Sequence, residues 1–451
     1  MTPADPPAHR PLTGGAVMGV VSRMVVAATG AATTILIARL LGPDGSGGFF
    51  AAQTLVLLVT VLAALGVEHG IAYYVSAGAW AAASALRAAL RLVAVSGVVG
   101  ALVVTAARLV VPSAFSGLGV WETLAAAAGV PFWLALTNSS FSALAVDRYE
   151  AYVLPPALQS ALALALAGAG AIAFGLGGAI VGVTLATAIV GAAISRWALR
   201  RLRRAAPDPP GMLRRAVAFG VKGYAANALQ LLNYRGDIFI LSAVSGAAAD
   251  GQYSVAVTSV LWLLPNALAE VVFPRIARLS ADGSAAAQRE MVEVKGLRHV
   301  TLSVAAVSAV LALAIVTLLV PVYGDLFRPA VAPALILLVG SALIGIANVL
   351  ASSVAGRGRP ELNLYTVLVS TPITLALYAL LIPPLDATGA ALASTVSYGV
   401  NFVMTARFYR RLTGRSALWG MLPGADELGD LRRLAPAGRA WLRGLRDRGR
   451  P

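Results

Sequence analysis

Cysteine is absent from the 451 residues, histidine occurs three times, and Asp, Glu, Lys and Arg together make up only 12% of the chain. Without cysteine there is no disulfide scaffold, no thiolate zinc cluster and no thiol nucleophile. His9, His69 and His299 are too scattered to form a histidine metal centre. An average soluble domain is about 25% charged, so this chain lacks the polar surface that a water-soluble protein of its length needs. Hydrophobic residues account for 58% of it, which excludes disorder for the bulk of the chain. No collagen or heptad repeat is present. What these absences leave is an all-α, polytopic membrane protein.

A helix needs about 20 apolar residues to cross about 30 Å of hydrocarbon. Twelve stretches of that kind are legible: 16–40, 48–76, 90–111, 121–143, 151–174 and 179–199, then 216–244, 253–273, 300–320, 330–351, 364–382 and 388–408. The connections are short and carry turn residues, as in Gly42-Pro43-Asp44-Gly45, Gly356-Arg357-Gly358 and Pro383-Pro384. The first stretch is too long, and its basic flank too thin, for a cleavable signal, so it reads as a span.

The net charge of +15 is unevenly placed. With a cytoplasmic N-terminus, the cytoplasmic segments hold 29 of the 35 Lys and Arg, seven of them in the central loop and eleven between Arg407 and Arg450. The outer connections hold only Arg39, Arg108 and Arg328, against Asp44, Glu122, Asp250, Asp325 and Asp386. That bias is the positive-inside pattern and puts both termini in the cytoplasm. Juxtamembrane arginines of this kind set topology and touch anionic lipid, so nucleic acid is not the expected partner. The tail carries Leu428, Leu431, Leu434, Trp441, Leu442 and Leu445 in a partly helical, amphipathic pattern that suits the inner membrane face.

The organisation that follows is a cytoplasmic segment 1–15, a six-helix bundle 16–200, a basic linker 201–215, a second six-helix bundle 216–412 and a basic tail 413–451. Six spans per half is an even number, so an internal repeat must be parallel, about an axis along the membrane normal. Its trace is visible. Gly42 precedes Phe49 by seven residues, and Gly246 precedes Tyr253 by seven, at an offset of 204.

At these positions the sequence resembles a known family. Ile37-Ala38-Arg39-Leu40-Leu41-Gly42-Pro43 followed by Gly48-Phe49 is similar to the first-loop signature of polysaccharide flippases. Asn233-Tyr234-Arg235-Gly236-Asp237-Ile238-Phe239-Ile240-Leu241, then Gly251-Gln252-Tyr253-Ser254-Val255-Ala256, Leu264-Pro265-Asn266-Ala267-Leu268 and Phe273-Pro274-Arg275, resembles the span 7–8 signature of the O-antigen and capsule branch. The resemblance runs from about residue 15 to 412. It implies the multidrug/oligosaccharidyl-lipid/polysaccharide exporter superfamily: two pseudo-symmetric six-helix bundles in a V, a bacterial cytoplasmic membrane, and a lipid-linked oligosaccharide as cargo.

Charges at hydrocarbon depth cost at least about 2.5–3.5 kcal/mol each on insertion scales, so each needs a reason. Arg23 lies seven residues into span 1 and Lys222 at similar depth in span 7, where either contacts an anion or snorkels to the headgroups. Arg235 lies about 13 Å from the outer end of span 7, at the limit of snorkelling. Asn227, Gln230, Tyr234 and Asp237 form a polar stripe within a wedge of about 80°. Such a stripe packs against another span or lines a wet cavity. Asp237 is expected to find a partner on another span, with Arg23 the one named on depth and charge. Arg23, Lys222, Asn227, Gln230, Tyr234, Arg235 and Asp237 are therefore the candidate contacts for an anionic head and its sugars. Glu68, within a Gly66–Gly70 stretch that interrupts span 2, and Glu270, beyond a kink at Pro265, join Asp237 as candidates for coupling to a proton or a sodium ion. For the two glutamates the alternative is a pair with a nearby arginine.

Three functions are open. A flippase for an isoprenoid-(pyro)phosphate-linked oligosaccharide suits the intramembrane arginines, which bind pyrophosphate bidentately. An exporter of cationic drugs from the same superfamily needs acidic or aromatic walls, and here the intramembrane bases are at least as many as the acids. A membrane glycosyltransferase or polymerase needs a sizeable aqueous loop with catalytic carboxylates, which the sequence lacks. No cofactor is expected, and no G-x-x-x-x-G-K-[ST] loop for ATP is present.

Overall fold

The structure is a computed structural model that describes residues 12–202, 211–260, 286–359, 361–417 and 421. The N-terminal segment up to 11, most of the central basic linker, the Pro265 region and nearly all of the tail lie outside the described residues.

Every regular element among the described residues is helical. In chain order they are α1 (Leu12–Ala64), α2 (Val67–Ser76), α3 (Ala82–Val110), α4 (Val120–Ala127), α5 (Val130–Leu144), α6 (Tyr149–Arg201), α7 (Met212–Ser259), α8 (Ala286–Tyr323), α9 (Val331–Gly356) and α10 (Glu361–Thr413), with short 3-10 turns at Pro112–Phe115 and Asp325–Ala330. Among the described residues, seven stretches are long and apolar enough to cross a membrane: Met18–Ala64, Ala82–Val110, Val120–Leu144, Tyr149–Arg201, Gly296–Tyr323, Asp325–Gly356 and Glu361–Thr413. The chain is a multi-pass membrane protein. α7 is not among the seven, because its polar stripe lowers its hydropathy.

At 1.5 Å per residue, the 53 residues of α1, α6 and α10 would run to about 80 Å, more than twice the hydrocarbon thickness. Each is divided by a break. Gly42 sits at φ 67, ψ −172 in α1, Phe174 and Gly175 interrupt α6, and Asp386 takes φ 47 in α10; α7 breaks likewise at Gly246, φ 84, ψ 178. These breaks fall at the ends of spans read from the sequence. The connections are tighter than the turn residues imply: Pro43 and Asp44 already belong to the next helical arm, where proline at the first turn costs no hydrogen bond. Pro383 and Pro384 are likewise inside α10, and the break falls two residues later, where Ser245 Oγ donates to Asp386 Oδ1 at 2.6 Å.

The chain divides into two compact units. The first comprises 1–258, 319–330 and 378–390; the second comprises 259–318, 331–377 and 391–451. In the first, α1 and α5 pack on α6, and α3 packs on α5. Hydroxyl and amide groups tie these apolar helices: Thr29 Oγ1 donates to Ser160 Oγ at 2.9 Å, Gln159 Nε2 to Thr187 Oγ1 at 3.1 Å, and the Ser139 and Ser195 hydroxyls meet at 2.9 Å. In the second, Val300 and Val304 of α8 cluster with Val349 of α9, and Thr395 Oγ1 of α10 donates to the Ile336 carbonyl of α9 at 2.9 Å.

Span 2 is interrupted, but at Leu65–Gly66; the expected stretch from 67 to 70 is helical. Leu65 and Gly66 both take positive φ, 53 and 66, and α2 restarts at Val67. The break docks on α7 without side chains between: a Cβ on Gly220 would lie 2.2 Å from the Gly66 carbonyl oxygen.

Candidate functional site

The polar stripe of α7 is occupied by its own members and by the start of the following arm. Gln230 Nε2 donates to the Tyr234 hydroxyl, one turn on. Asp237 is buried, at 2% exposure; its Oδ1 accepts the Ile238 amide at 2.9 Å and its Oδ2 accepts the Tyr253 hydroxyl. Tyr253 is itself 1% exposed. Asp237 thus finds a partner beyond the Gly246 corner, and it is enclosed in packing. Gln230, Tyr234 and Arg235 are half-buried. Asn233, inside the same stretch, offers its carbonyl to the Tyr378 hydroxyl at 3.1 Å.

Arg23 is exposed, on the flank of α1 that also carries Val20, Val21 and Met24. It stands nineteen residues before Gly42, whereas Asp237 stands nine before Gly246. At 1.5 Å per residue, Arg23 lies about 15 Å farther from its corner than Asp237 does from its own. The corners themselves are in contact, so the distance separates Arg23 from the level at which Asp237 is held. Lys222 and Asn227 are on α7, but their side chains lie outside the described residues, as does Glu270 altogether.

The corner contact is reciprocal. A Cβ on Gly47 would lie 1.9 Å from the Ala247 carbonyl oxygen, and one on Gly251 would lie 2.0 Å from that of Pro43. Residues 43 and 247, and 47 and 251, are pairs at the offset of 204. When i touches j′ while i′ touches j, the surfaces are related by a two-fold axis. The internal repeat read from Gly42 and Gly246 therefore meets itself, backbone against backbone, and only glycine allows the approach at 47 and 251. Ser116 and Ser242 add a hydroxyl contact of 2.7 Å, and Arg39 Nε donates to the Val322 carbonyl at 2.7 Å while its Nη2 reaches that of Pro321. Arg39 thus caps the C-terminal end of α8, where carbonyls lack helical partners.

Asp250 corrects the sequence reading. It was expected in an outer connection, as a counter-charge; it is completely buried on the arm after Gly246, with Ser254 Oγ 3.5 Å from Oδ1 and no partner for Oδ2. The repeat held the signal, since Asp250 is the counterpart of Ser46 at the same offset and Ser46 is also fully buried.

Glu68 is buried at 2% exposure on the first turn of α2, and His69 Nδ1 lies 3.6 Å from its Oε1. Its neighbour is thus this half-exposed histidine, where the alternative to a coupling role had named an arginine. Its Oε2 has no hydrogen-bond partner. Among the described residues no group of three or more His, Cys, Asp or Glu could hold a metal ion.

Residues 36–332 match the family described as polysaccharide biosynthesis protein. No functionally curated protein matches the chain in sequence. Solved structures do match in fold. The lipid II flippase MurJ in an inward closed conformation is similar over 90% of this chain and 89% of its own, with a TM-score of 0.70 and 11% identity. An inward-facing multidrug-resistance MATE transporter is similar over 86% and 94%, with a TM-score of 0.67 and 14% identity. A further transporter of that superfamily, from Pyrococcus furiosus and described with a binding pocket of reversed polarity, is similar over 88% and 94%, with a TM-score of 0.63 and 13% identity. With the sequence match spanning residues 36–332 and the helical architecture agreeing over most of the chain, the chain belongs to the polysaccharide biosynthesis protein family and has the transporter fold of the multidrug/oligosaccharidyl-lipid/polysaccharide exporter superfamily.

Proposed function

We propose that this chain is a flippase that moves an isoprenoid-(pyro)phosphate-linked oligosaccharide from the inner to the outer leaflet of a bacterial cytoplasmic membrane, for cell-surface polysaccharide assembly. The observation that carries the reading is the reciprocal docking of the Gly42–Gly47 and Gly246–Gly251 corners. Two like corners that meet backbone to backbone, with the Ser116–Ser242 hydroxyl contact beside them, can separate there with few side chains to unpack, which is what alternating access asks of a gate. The positive-inside charge pattern assigns that end to the outer face. The family match and the likeness in fold to a lipid II flippase support the same reading.

In this mechanism the halves are 16–200 and 216–412, both termini are cytoplasmic, and the lipid tail stays in the bilayer. Arg23, Lys222 and Arg235 take the anionic head, since guanidinium and ammonium groups are what a (pyro)phosphate recruits. Asn227, Gln230 and Tyr234 contact sugar hydroxyls. Asp237, enclosed in the present state, reaches the substrate or a coupling proton or sodium ion only when the arm bearing Tyr253 moves. Glu68 and Glu270 are the other coupling groups. No bond is made or broken in the cargo.

Deletion of the chain in its own cell tests the reading. Loss of a surface glycan with its lipid-linked precursor trapped on the inner leaflet is the expected outcome. Unchanged glycans with altered sensitivity to cationic drugs would replace it with extrusion.

A further inference from the structure

A row of ring side chains runs across the first unit, away from the α7 polar stripe, and has no part in the mechanism above. Tyr149 and Tyr152, at the start of α6, have their rings 6.2 Å apart; Tyr152 is 5.3 Å from Phe141 of α5, and Phe141 is 5.2 Å from the His69 imidazole of α2. Tyr73 follows His69 by one turn on the same exposed face of α2. It stacks on Phe219 of α7, with centroids 4.7 Å apart and planes at 15°. The row thus crosses four helices. The last step is made by the backbone contact between α2 and α7. A Cβ on Gly70 would lie 2.5 Å from the Ala216 carbonyl oxygen, and one on Gly220 would lie 2.2 Å from that of Gly66. With no side chain between the two axes, the rings at the edge of the contact come together. At the far end α1 closes in, since a Cβ on Gly19 would lie 2.5 Å from the Tyr149 hydroxyl.

Rings of a core are covered on both sides, and these are not. Tyr73 is 55% exposed, Phe219 41% and the His69 side chain 50%, while Tyr149, Tyr152 and Phe141 are half-buried. The row also differs from a surface suited to acyl chains. The exposed face of α3 is aliphatic, with Val95, Val98, Val99, Leu102 and Val103. Tyrosine and histidine instead pair an apolar ring with a polar tip. The rings are held in place from behind. Trp80, itself buried, stacks at 4.1 Å on Tyr74, whose ring is 5.2 Å from Tyr73, and Glu68 Oε1 lies 3.6 Å from His69 Nδ1. Fixed rings give contact area at little cost in side-chain entropy.

We infer that this row is a docking track for the sugar rings of the cargo, with His69, Tyr73 and Phe219 as its open section. A pyranose has a face of C–H groups and a rim of hydroxyls. The C–H face stacks on an aromatic face, and tyrosine hydroxyls and the imidazole serve the rim. Stacking of this kind accepts many rings, as aromatic platforms accept any nucleobase. Charge selects among the ligands that aromatic faces hold. Arg215 lies one turn before Phe219 on the exposed side of α7, and Arg214 beside it is exposed too. Guanidinium groups there repel a cation that would otherwise sit on the rings and attract a (pyro)phosphate attached to the sugar. The same basic flank assigns this end of α7 to the cytoplasmic side, where a precursor made in the cell is loaded. The inference rests on the flippase reading and adds the surface that receives the sugars before the enclosed α7 stripe does.

The test replaces single residues of the full chain with the photo-cross-linking residue p-benzoylphenylalanine, in cells whose own copy is deleted. Tyr73 and Phe219 are the test positions, and Val98 and Leu102 on α3 are the controls. After irradiation the purified chain is treated with mild acid, which splits a glycosyl pyrophosphate and spares phospholipid esters, and the released sugar is identified by mass. The expected result is acid-released glycan from 73 and 219 and none from 98 and 102. Separately, Tyr73→Ala and Phe219→Ala are expected to lower export of surface glycan at least about ten-fold, the weight of one ring stack. Tyr73→Phe and Phe219→Tyr keep the ring faces and are expected to keep export. If the alanine variants do not accumulate, the cross-linking, which leaves a ring at each position, carries the test. Phospholipid adducts alone at 73 and 219 would make the row an aromatic belt at headgroup level and overturn the inference. Glycan adducts of equal yield at all four positions, or full export by both alanine variants, would overturn it too. Any of these in a cell where deletion abolishes the glycan leaves the flippase reading standing; glycans unchanged on deletion would sink that reading and this one with it.

Discussion

The residue that joins sequence and structure most directly is Asp237. An aspartate nine residues from the end of a span is tolerable only with a donor of its own, and Tyr253 provides it from the arm beyond the corner. Both side chains are buried, so Tyr253→Phe removes the donor without opening the site to water. The expected loss is about 1.5–3 kcal/mol of stability, the range for a hydrogen bond to a charged group. Asp237→Asn keeps an oxygen to receive the tyrosine hydroxyl and is expected to cost less. Thermal unfolding of the two variants checks the order; equal and negligible losses would show that Asp237 is satisfied by other donors. Part of this arrangement was legible in the sequence. The wedge formed by Gln230, Tyr234 and Asp237 follows from 100° per residue, and the internal Gln230–Tyr234 bond is a consequence of i, i+4 spacing. Which side chain of a neighbouring arm would complete it was not legible, because a partner depends on how far two helices are offset, and periodicity within one helix carries no such information.

At the scale of elements, the breaks were the most readable feature. Gly42, Gly246 and the Leu65–Gly66 interruption all fall where glycine allows a positive φ that other residues adopt at a cost. Phe174–Gly175 and Asp386 ended spans that hydropathy had already marked. What hydropathy missed was how little chain a reversal needs: one or two residues replace the expected loops, so Pro43, Asp44 and Asp250 sit in helical arms. The contact between the corners gives this economy a consequence. A side chain at 47 or at 251 meets a carbonyl at 1.9 or 2.0 Å, which no rotamer relieves. Gly47→Val and Gly251→Val are each expected to part the corners and to do so equally, since the contact is two-fold. Because the chain has no cysteine, a single Ser242→Cys reporter, buried in the native protein, can be labelled in an otherwise inert background. Its reaction with a membrane-impermeant maleimide is expected to rise at least about ten-fold in either glycine variant. Gly30→Ala is the control: its Cβ meets nothing within 4 Å, and alanine in a helix gains about 0.5–1 kcal/mol over glycine. A reporter that stays silent in both corner variants would mean that the two backbones do not form the barrier.

For the whole molecule the question is whether that barrier must open for transport. The reciprocal contact and the 204-residue offset speak for two like segments held together by backbone, and neither says that the segments part. A reversible lock decides it. The Ser116 and Ser242 hydroxyl oxygens are 2.7 Å apart, already near the 2.05 Å of a sulfur–sulfur bond, so cysteines at these two positions are placed to cross-link with little displacement. Under oxidation the Ser116→Cys/Ser242→Cys protein is expected to keep its fold, since the bond only fastens a contact the native state already makes. It is also expected to lose export of surface glycan almost completely, and to recover it on reduction, with the single-cysteine variants unaffected by either treatment. The physical argument is one of population. A covalent bond across the corners removes the separated state from the ensemble altogether, and a carrier that works by exchanging two states cannot turn over with one of them missing. Full export by the cross-linked protein would mean that cargo passes without parting these segments, along a route that owes nothing to the repeat.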